Sequence, residues 1–218
     1  MSARDDVLSR IRSALRDAPQ APEIPRAYRQ TSGLDPEALV EQMVDRLVDY
    51  KARVHVVAAA DAPGTIAGLL AESGSYAVPH GLDTAWLAEV GRSGDAAGGG
   101  GVPRRMVDAP ESPLSVAELD GVDAVVTGSA VAVAETGTIV LDGSPDQGRR
   151  VISLVPDRHI CILLAQDITG ILPEALRRLD GTRPLTWISG PSATSDIELE
   201  RVEGVHGPRK LDVIIIGT

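Results

Sequence analysis

Short apolar runs separated by small polar turns fill the stretch between residues 123 and 143. The runs at residues 124–126, 131–134 and 138–141 consist of β-branched or small residues. They are too short for helices, and their composition is typical of nearly buried strands. The pattern therefore predicts three strands or strand ends in close succession.

The turns between these runs are residues 127–129, Thr-Gly-Ser, and residues 135–138, Glu-Thr-Gly-Thr. Each turn puts glycine where a side chain would block a tight turn or a close ligand. Because α/β proteins usually bind ligands at the ends of strands, the turns predict a ligand site. Glu135 is the one charged residue inside the stretch and hence its candidate acid, base or nucleophile.

Elsewhere the apolar spacing alternates between the periods of strands and helices. Helical spacing occurs at residues 36–50, 62–73, 83–90 and 167–180, with a single helical turn at 115–119. Strand-like runs occur at residues 53–60, 76–79, 104–107, 158–165 and 211–216. Strands that alternate with helices imply right-handed crossovers, so we expect an α/β fold with a mostly parallel sheet flanked by helices.

Residues 1–26 are expected to form an arm in front of a single α/β domain at residues 27–218. Val7, Leu8, Ile11 and Leu15 make a one-sided apolar stripe among charged residues, which indicates a short amphipathic helix. Prolines at 19, 22 and 25 then favour an extended linker. The arm either folds onto its own domain or docks on a partner or a second copy of the chain.

Composition restricts the classes of partner. The net charge of −10 disfavours nucleic-acid binding, which needs clustered Lys and Arg. No apolar run is long enough to cross a membrane and no leader pattern is seen, so a cytoplasmic location is expected. The single cysteine, Cys161, cannot hold an iron–sulfur cluster or a thiolate zinc site alone, and its apolar run indicates an inert core thiol.

Three other features favour structural interpretations. The histidines His55 and His80 lie in or just after a strand and are expected to pack there rather than bind ligands. The glycine-rich residues 91–103 predict a surface loop, because the phosphate-binding pattern G-x-x-x-x-G-K-[ST] is missing and no lysine is near.

A second compact motif occupies residues 187–198, Trp-Ile-Ser-Gly-Pro-Ser-Ala-Thr-Ser-Asp-Ile-Glu. Ser195 and Glu198 make a capping-box pattern, which predicts a helix from residue 196 to about 203. The start of such a helix offers free N–H groups to a carboxylate or phosphate. Ser192, Asp196 and His206 are also the ingredients of a hydrolytic triad, but the nucleophile-elbow sequence is absent.

We expect this second motif and the turn at residues 135–138 to converge on one cleft, because both follow strand-like runs and expose backbone through glycine. The candidate ligand-binding residues are Thr127, Gly128, Thr136, Gly137, Thr138, Ser189, Gly190, Ser192, Asp196, His206 and Gly207, and the catalytic candidate is Glu135. No metal ligands are assigned.

The order and spacing of the motifs Ala-Glu-Thr-Gly-Thr-Ile-Val (134–140), Ile-Ser-Gly-Pro-Ser-Ala-Thr-Ser-Asp-Ile-Glu (188–198) and Gly-Val-His-Gly-Pro (204–208) resemble those of the LUD-domain family. The resemblance covers the chain from about residue 36 to its end. It implies the NagB/RpiA/CoA-transferase-like fold and a link to machinery that oxidises lactate to pyruvate with iron–sulfur centres, coupled to flavin or quinone.

Three functions are consistent with this resemblance. In the first, the chain is an accessory subunit that binds a small anionic ligand, holds no cofactor itself and works with iron–sulfur and flavin-bearing partners. In the second, it is a stand-alone CoA-transferase-like enzyme that uses Glu135. In the third, it is a small-molecule-binding regulator without turnover. A homo-oligomer is compatible with each of these functions.

Overall fold

The computed structural model describes residues 2–17, 23–92, 102–191, 193–195, 201–203 and 207–217. These residues form five α-helices and twelve strands. The helices are α1 (Ala3–Ala14), α2 (Pro36–Asp49), α3 (Ala62–Leu70), α4 (Val116–Asp120) and α5 (Leu172–Leu176). The strands are β1 (Arg53–Ala58), β2 (Ser75–Pro79), β3 (Arg104–Asp108), β4 (Ala124–Thr127), β5 (Val131–Val133), β6 (Thr138–Leu141), β7 (Arg158–Leu164), β8 (Ile168–Thr169), β9 (Thr186–Ile188), β10 (Ala193–Ser195), β11 (Arg201–Glu203) and β12 (Lys210–Gly217).

Six strands make a fully parallel main sheet in the order β1-β12-β7-β4-β2-β3. The most apolar strands, β7 and β12, lie side by side near its middle. Strands buried on both faces consist of continuous apolar runs, and such runs identified β7 and β12 in the sequence. The predicted α/β architecture with a mostly parallel sheet flanked by helices is confirmed.

A second sheet of four strands, in the order β8-β5-β6-β9, packs against one face of the first. β6 pairs antiparallel with both β5 and β9, whereas β5 and β8 are parallel. The predicted strands at 131–134 and 138–141 therefore exist, but they belong to this second sheet and not to the parallel one. The spacing of such short runs contains no information about which sheet they join.

Helix α2 begins and ends with well-formed caps. The carboxylate of Asp35 accepts a hydrogen bond from the N–H of Ala38 at 2.9 Å, and Pro36 occupies the first turn. After the helix, the N–H of Lys51 donates to Val48 and that of Ala52 donates to Leu47, the two bonds of a Schellman motif. Lys51 has a φ of +71°, a conformation usually left to glycine.

The core has a separate layer on each face of the main sheet. On one face, Met43 and Leu47 of α2 pack with Cys161, Leu163 and the apolar side of the second sheet. On the other face, α3 covers a layer that includes Ile66, Leu70, Ile160, Ile162, Ile214 and Ile216. Burying each such aliphatic side chain stabilises the fold by about 1.5–3 kcal/mol.

Two predicted helices are replaced by shorter elements. The expected helix at 167–180 is interrupted, because β8 pairs with β5 and leaves only Leu172–Leu176 as α5. The hydroxyl of Thr169 also donates to the carbonyl of Ala132 at 2.7 Å, which fixes that segment to the second sheet. The expected helix at 83–90 is a 3₁₀ turn at Thr84–Leu87. At residues 167–180, strand pairing therefore outweighs the helical spacing of the apolar residues.

The prediction of a helix from residue 196 to about 203 is wrong for residues 201–203, the part of it that the structure describes. β11 pairs antiparallel with β10, so residues 201–203 are extended. A capping-box sequence is a local signal, and strand pairing outweighs it here. Residues 196–200 lie outside the described part of the chain, as do residues 93–101 of the predicted glycine-rich loop.

The helix predicted in the amino-terminal arm is confirmed as α1, which has a capping box formed by Ser2 and Asp5. None of its residues is buried: Val7 is 56 % and Ile11 49 % exposed. Within the described residues α1 therefore buries no side chain, and both alternatives for the arm, packing on its own domain or docking on a partner, stay predictions. Among the described helices, none combines the length and apolar character needed to cross a membrane.

Candidate functional site

A cleft of about 300 Å³ opens between the main sheet and the second sheet, and we call it the inter-sheet cleft. Its lining includes Arg150, Ser153, His159, Trp187, Ser189 and Gly207. His159 comes from β7 of the main sheet, Trp187 from β9 of the second sheet, and Arg150 from a 3₁₀ turn at Arg150–Ser153. The cleft exists because these three elements meet there without filling the space.

His159 is a buried ring whose hydrogen bonds define its tautomer. The hydroxyl of Thr127 donates its one hydrogen to the carbonyl of Gly128 at 2.9 Å. It therefore accepts at its 2.8 Å contact with Nε2 of His159, which assigns the ring proton to Nε2. Nδ1 is then an unprotonated acceptor, with no hydrogen-bond partner among the described residues.

The same surroundings keep this ring uncharged. Burial lowers the pKa of His159 to about 4, and the nearby Asp212 carboxylate opposes the shift only in part. The imidazole is consequently neutral at physiological pH. Thr127, a predicted ligand-binding residue, acts here as the partner that orients His159.

A chain of hydroxyl groups joins the two predicted turns. Thr136 Oγ1 lies 2.8 Å from Thr138 Oγ1, which in turn lies 2.8 Å from Ser189 Oγ. The contact is possible because β6 and β9 are antiparallel neighbours, with Ile139 opposite Ile188. The structure thus brings Thr136, Thr138 and Ser189 together, although about 50 residues separate them in sequence. Their role in ligand binding stays a prediction.

Glu135 lies on the other side of this turn, against helix α2 and the segment before it. Its carboxylate makes an ion pair with Arg29, and its backbone carbonyl accepts a hydrogen bond from Arg46 Nε at 3.3 Å. The side chains of Arg29 and Glu135 are 68 % and 42 % exposed. Glu135 is not a lining residue of the inter-sheet cleft. These contacts link segments of the chain, and a catalytic role for Glu135 stays a prediction.

Gly137 and Gly190 have a structural reason to be glycine. Both have positive φ values, +61° and +80°. A Cβ on Gly137 would lie 2.7 Å from Cβ of Arg46, and one on Gly190 would lie 2.5 Å from Cβ of Tyr50. Arg46 is in α2 and Tyr50 caps it, so both turns approach this helix too closely for any side chain. The sequence suggested that a ligand lies close to these glycines. In the structure their close neighbours are residues of α2 and its cap.

Gly128 is similarly enclosed by protein atoms. Its N–H donates to the carbonyl of Asp146 at 2.9 Å, and a Cβ there would lie 2.1 Å from the Asp146 carboxylate. Burial raises the pKa of that carboxyl group above its usual value. Gly128 therefore allows the turn containing Asp146 to pack on the end of β4.

The remaining candidates divide between the cleft and the undescribed residues. Gly207, Gly190 and Ser189 line the inter-sheet cleft. Ser192, Asp196 and His206 lie outside the described residues, so their predicted anion-binding or triad roles are not examined by the structure.

Arg150 is a lining residue that the sequence analysis missed. It borders both the inter-sheet cleft and a neighbouring pocket of about 360 Å³. No hydrogen bond or ion pair engages its guanidinium within the described residues. The consecutive arginines at 149 and 150 after a polar turn were the available signal, but two adjacent charges do not reveal which one is paired.

Arg149, in contrast, is fully engaged. It binds the buried carboxylate of Asp108 through both Nε and Nη2, and Nη2 also donates to the carbonyl of Leu114 at 2.8 Å. The hydrogen bond to Asp108 raises the pKa of Arg149. Arg149 therefore holds the loop before α4 to the main sheet, whereas Arg150 has no such partner in the described part of the chain.

The iron–sulfur centres that the family resemblance implies require cysteine thiolates as ligands. Cys161 is the only thiol of the chain, and it is fully buried. Burial raises its pKa to about 12, which suppresses the thiolate that a cluster requires. Within the described residues no three His, Cys, Asp or Glu side chains are grouped as metal ligands. One buried thiol and the donors of the described residues do not fit a cluster, and the predicted core position of Cys161 is confirmed.

Comparisons with known proteins give a consistent result. Residues 40–216 match the family model described as the LUD domain. The chain is 44 % identical over 219 residues to "Lactate utilization protein C" of Deinococcus radiodurans, covering 99 % of this chain and 96 % of that one. It is 32 % identical over 127 residues to the protein of the same name in Bacillus subtilis strain 168, a match that covers 53 % of this chain and 51 % of that one.

A solved structure is also similar. The 1.70 Å crystal structure of a DUF162 family protein from Deinococcus radiodurans superposes with a TM-score of 0.67 at 39 % identity, covering 84 % of this chain and 99 % of the other. The fold, the family-model match and the 44 % identity over nearly the full chain agree. The chain therefore belongs to the LUD-domain family.

Proposed function

We propose that this chain acts in lactate utilisation as an accessory subunit of a system that oxidises lactate to pyruvate. The observation that carries the proposal is its 44 % identity, over nearly the full length of both chains, to a protein named for lactate utilisation. In this role the chain binds a small anionic ligand, and iron–sulfur centres and flavin belong to partner subunits.

The thiol content of the chain supports the assignment of the redox centres to partner subunits. Two-electron oxidation of lactate requires an electron acceptor, and the single buried Cys161 offers no cluster ligand set. The chain also lacks the G-x-G-x-x-G sequence with which many flavin and nicotinamide proteins bind a pyrophosphate. Its contribution is then binding, positioning or assembly.

Reconstitution tests the proposal. Lactate-dependent electron transfer is measured with the candidate iron–sulfur partners in the presence and in the absence of the full-length chain. We expect the purified chain to be colourless and inactive with lactate, and the partners to need it for full oxidation. Full activity of the partners without the chain, or a flavin or cluster absorbance spectrum from the chain alone, would contradict the proposal.

The CoA-transferase-like and regulatory alternatives make different predictions in the same assay. Acyl transfer by the isolated chain that is lost in Glu135→Gln would favour the enzyme. Ligand binding without any effect on lactate oxidation would favour the regulator.

A further inference from the structure

Among the described residues, the guanidinium of Arg150 at the mouth of the inter-sheet cleft has no hydrogen-bond or ion-pair partner. Two other arginines have partners, Arg149 with Asp108 and Arg183 with Asp142 at 2.7 Å. A guanidinium binds a carboxylate through two parallel N–H groups. The chain as a whole carries a net charge of −10, so an unpaired cation beside a cleft is a specific place for an anion.

His159 provides a complementary acceptor in the same cleft. Because Thr127 accepts from Nε2–H, Nδ1 presents a lone pair and no hydrogen. A neutral ring with this tautomer binds a group that donates a hydrogen, such as a hydroxyl. It offers nothing to a carbonyl or ether oxygen, which can only accept.

The rest of the cleft suits a small molecule with an apolar end. Its lining includes the apolar residues Leu154 and Trp187, and Trp187 is 42 % exposed. Its volume of about 300 Å³ is at the lower end of the range of ligand pockets, about 300–1,000 Å³.

We propose that the inter-sheet cleft binds a small 2-hydroxycarboxylate, with its carboxylate on Arg150 and its hydroxyl donating a hydrogen bond to Nδ1 of His159. This inference rests on the proposed role in lactate utilisation and identifies its ligand class. In this arrangement Arg150 is a binding residue, and Thr127 is a positioning residue that acts through His159.

Binding of three related acids to the full chain tests the assignment. L-lactate has the hydroxyl donor, pyruvate has a carbonyl in its place, and propionate has neither. Because a neutral hydrogen bond contributes about 0.5–1.5 kcal/mol, calorimetric titration should give L-lactate an affinity about two- to tenfold higher than that of either analogue.

Arg150→Gln removes the charge from an exposed side chain, so the fold should persist. We expect it to weaken binding of all three acids by about 10- to 100-fold, as expected for a hydrogen bond to a charged group. The matched control is Arg105→Gln, which removes an exposed arginine of β3 that is not a lining residue of the cleft and should leave binding unchanged.

Thr127→Val keeps the shape of the side chain but removes the acceptor for Nε2–H. It should abolish the preference for L-lactate over propionate while leaving the effect of Arg150→Gln intact. Imidazole nitrogen resonances provide a second measurement: in the wild type, Nδ1 should have the shift of an unprotonated nitrogen that moves on adding L-lactate but not propionate.

Equal affinities for L-lactate and propionate, unchanged binding in Arg150→Gln, or a proton on Nδ1 would overturn the inference. So would an absence of L-lactate binding at millimolar concentration. The reconstitution assay separates this failure from that of the proposed function: a chain that supports lactate oxidation without binding L-lactate refutes only the cleft, and a chain that binds it but is dispensable refutes only the accessory role.

Discussion

Glu135 connects the turn between β5 and β6 to two other segments, through its carboxylate and Arg29 and through its carbonyl and Arg46. The carboxylate pair is largely exposed, and such pairs contribute about 0–1 kcal/mol. We therefore expect Glu135→Gln to change the free energy of unfolding by less than about 1 kcal/mol in urea titrations. Reconstituted lactate oxidation should persist; its loss in a stably folded variant would instead support the catalytic alternative.

His159 should make stability depend on pH in the acidic range. Its pKa is about 4 in the folded protein and 6.5 in the unfolded chain. Below pH 6.5 the unfolded chain gains a proton that the folded protein does not take up until about pH 4. Stability should therefore fall as the pH is lowered through this window, by roughly 3 kcal/mol in total.

Urea unfolding at pH 7 and pH 5 of the wild type and of His159→Gln isolates this effect. The carboxylates of the chain titrate in both proteins and cancel in the difference. The variant should lose less stability on acidification than the wild type. Equal losses would show that His159 is not the group responsible.

At the scale of elements, helix α2 is the surface on which both glycine-containing turns pack. Gly137→Ala would force a left-handed conformation on alanine and also place Cβ 2.7 Å from Cβ of Arg46. We expect a loss of about 2–4 kcal/mol, the sum of a backbone and a packing cost.

Gly33→Ala is the matched control for this substitution. Gly33 has a φ of +74°, but a Cβ there meets nothing within 4 Å. It should cost only the backbone part, about 1 kcal/mol. Similar losses for the two variants, measured by chemical denaturation, would show that contact with α2 is not what requires glycine at position 137.

A substitution just after the end of α2 should instead raise the free energy of unfolding. Lys51 adopts a φ of +71° in the Schellman motif, where glycine has no steric penalty. Lys51→Gly should relieve strain of about 1–2 kcal/mol, less the extra entropy of glycine in the unfolded chain, for a net gain of up to about 1 kcal/mol. Thermal unfolding should show a higher Tm, whereas Lys51→Ala should not.

At the scale of the whole molecule, α1 leaves an apolar face unburied ahead of the domain. An amphipathic helix commonly docks by laying such a face in a groove of a partner. Deleting residues 1–20 should therefore weaken complex formation with partner subunits while leaving the Tm of the domain nearly unchanged. Size-exclusion chromatography with the partners measures the first, and a thermal scan the second; a large fall in Tm would mean that the arm packs on its own domain instead.

The sequence by itself determined the parallel sheet, because its strands are continuous apolar runs alternating with amphipathic helices such as α2 and α3. It also contains a single cysteine, fewer thiolates than an iron–sulfur cluster needs. Those properties depend on composition and on the short-range spacing of apolar residues, both of which can be read from the sequence.

Only the tertiary structure decided which residues meet. Strand pairing placed Ser189 beside Thr138, made residues 201–203 extended, and shortened the helix expected at 167–180. Helix packing filled the space at Gly137 and Gly190 with α2. Arg149 bound Asp108, while Arg150 found no partner within the residues that the structure describes. Each outcome depends on contacts between distant segments, whose free energy exceeds the local preferences that a sequence pattern records.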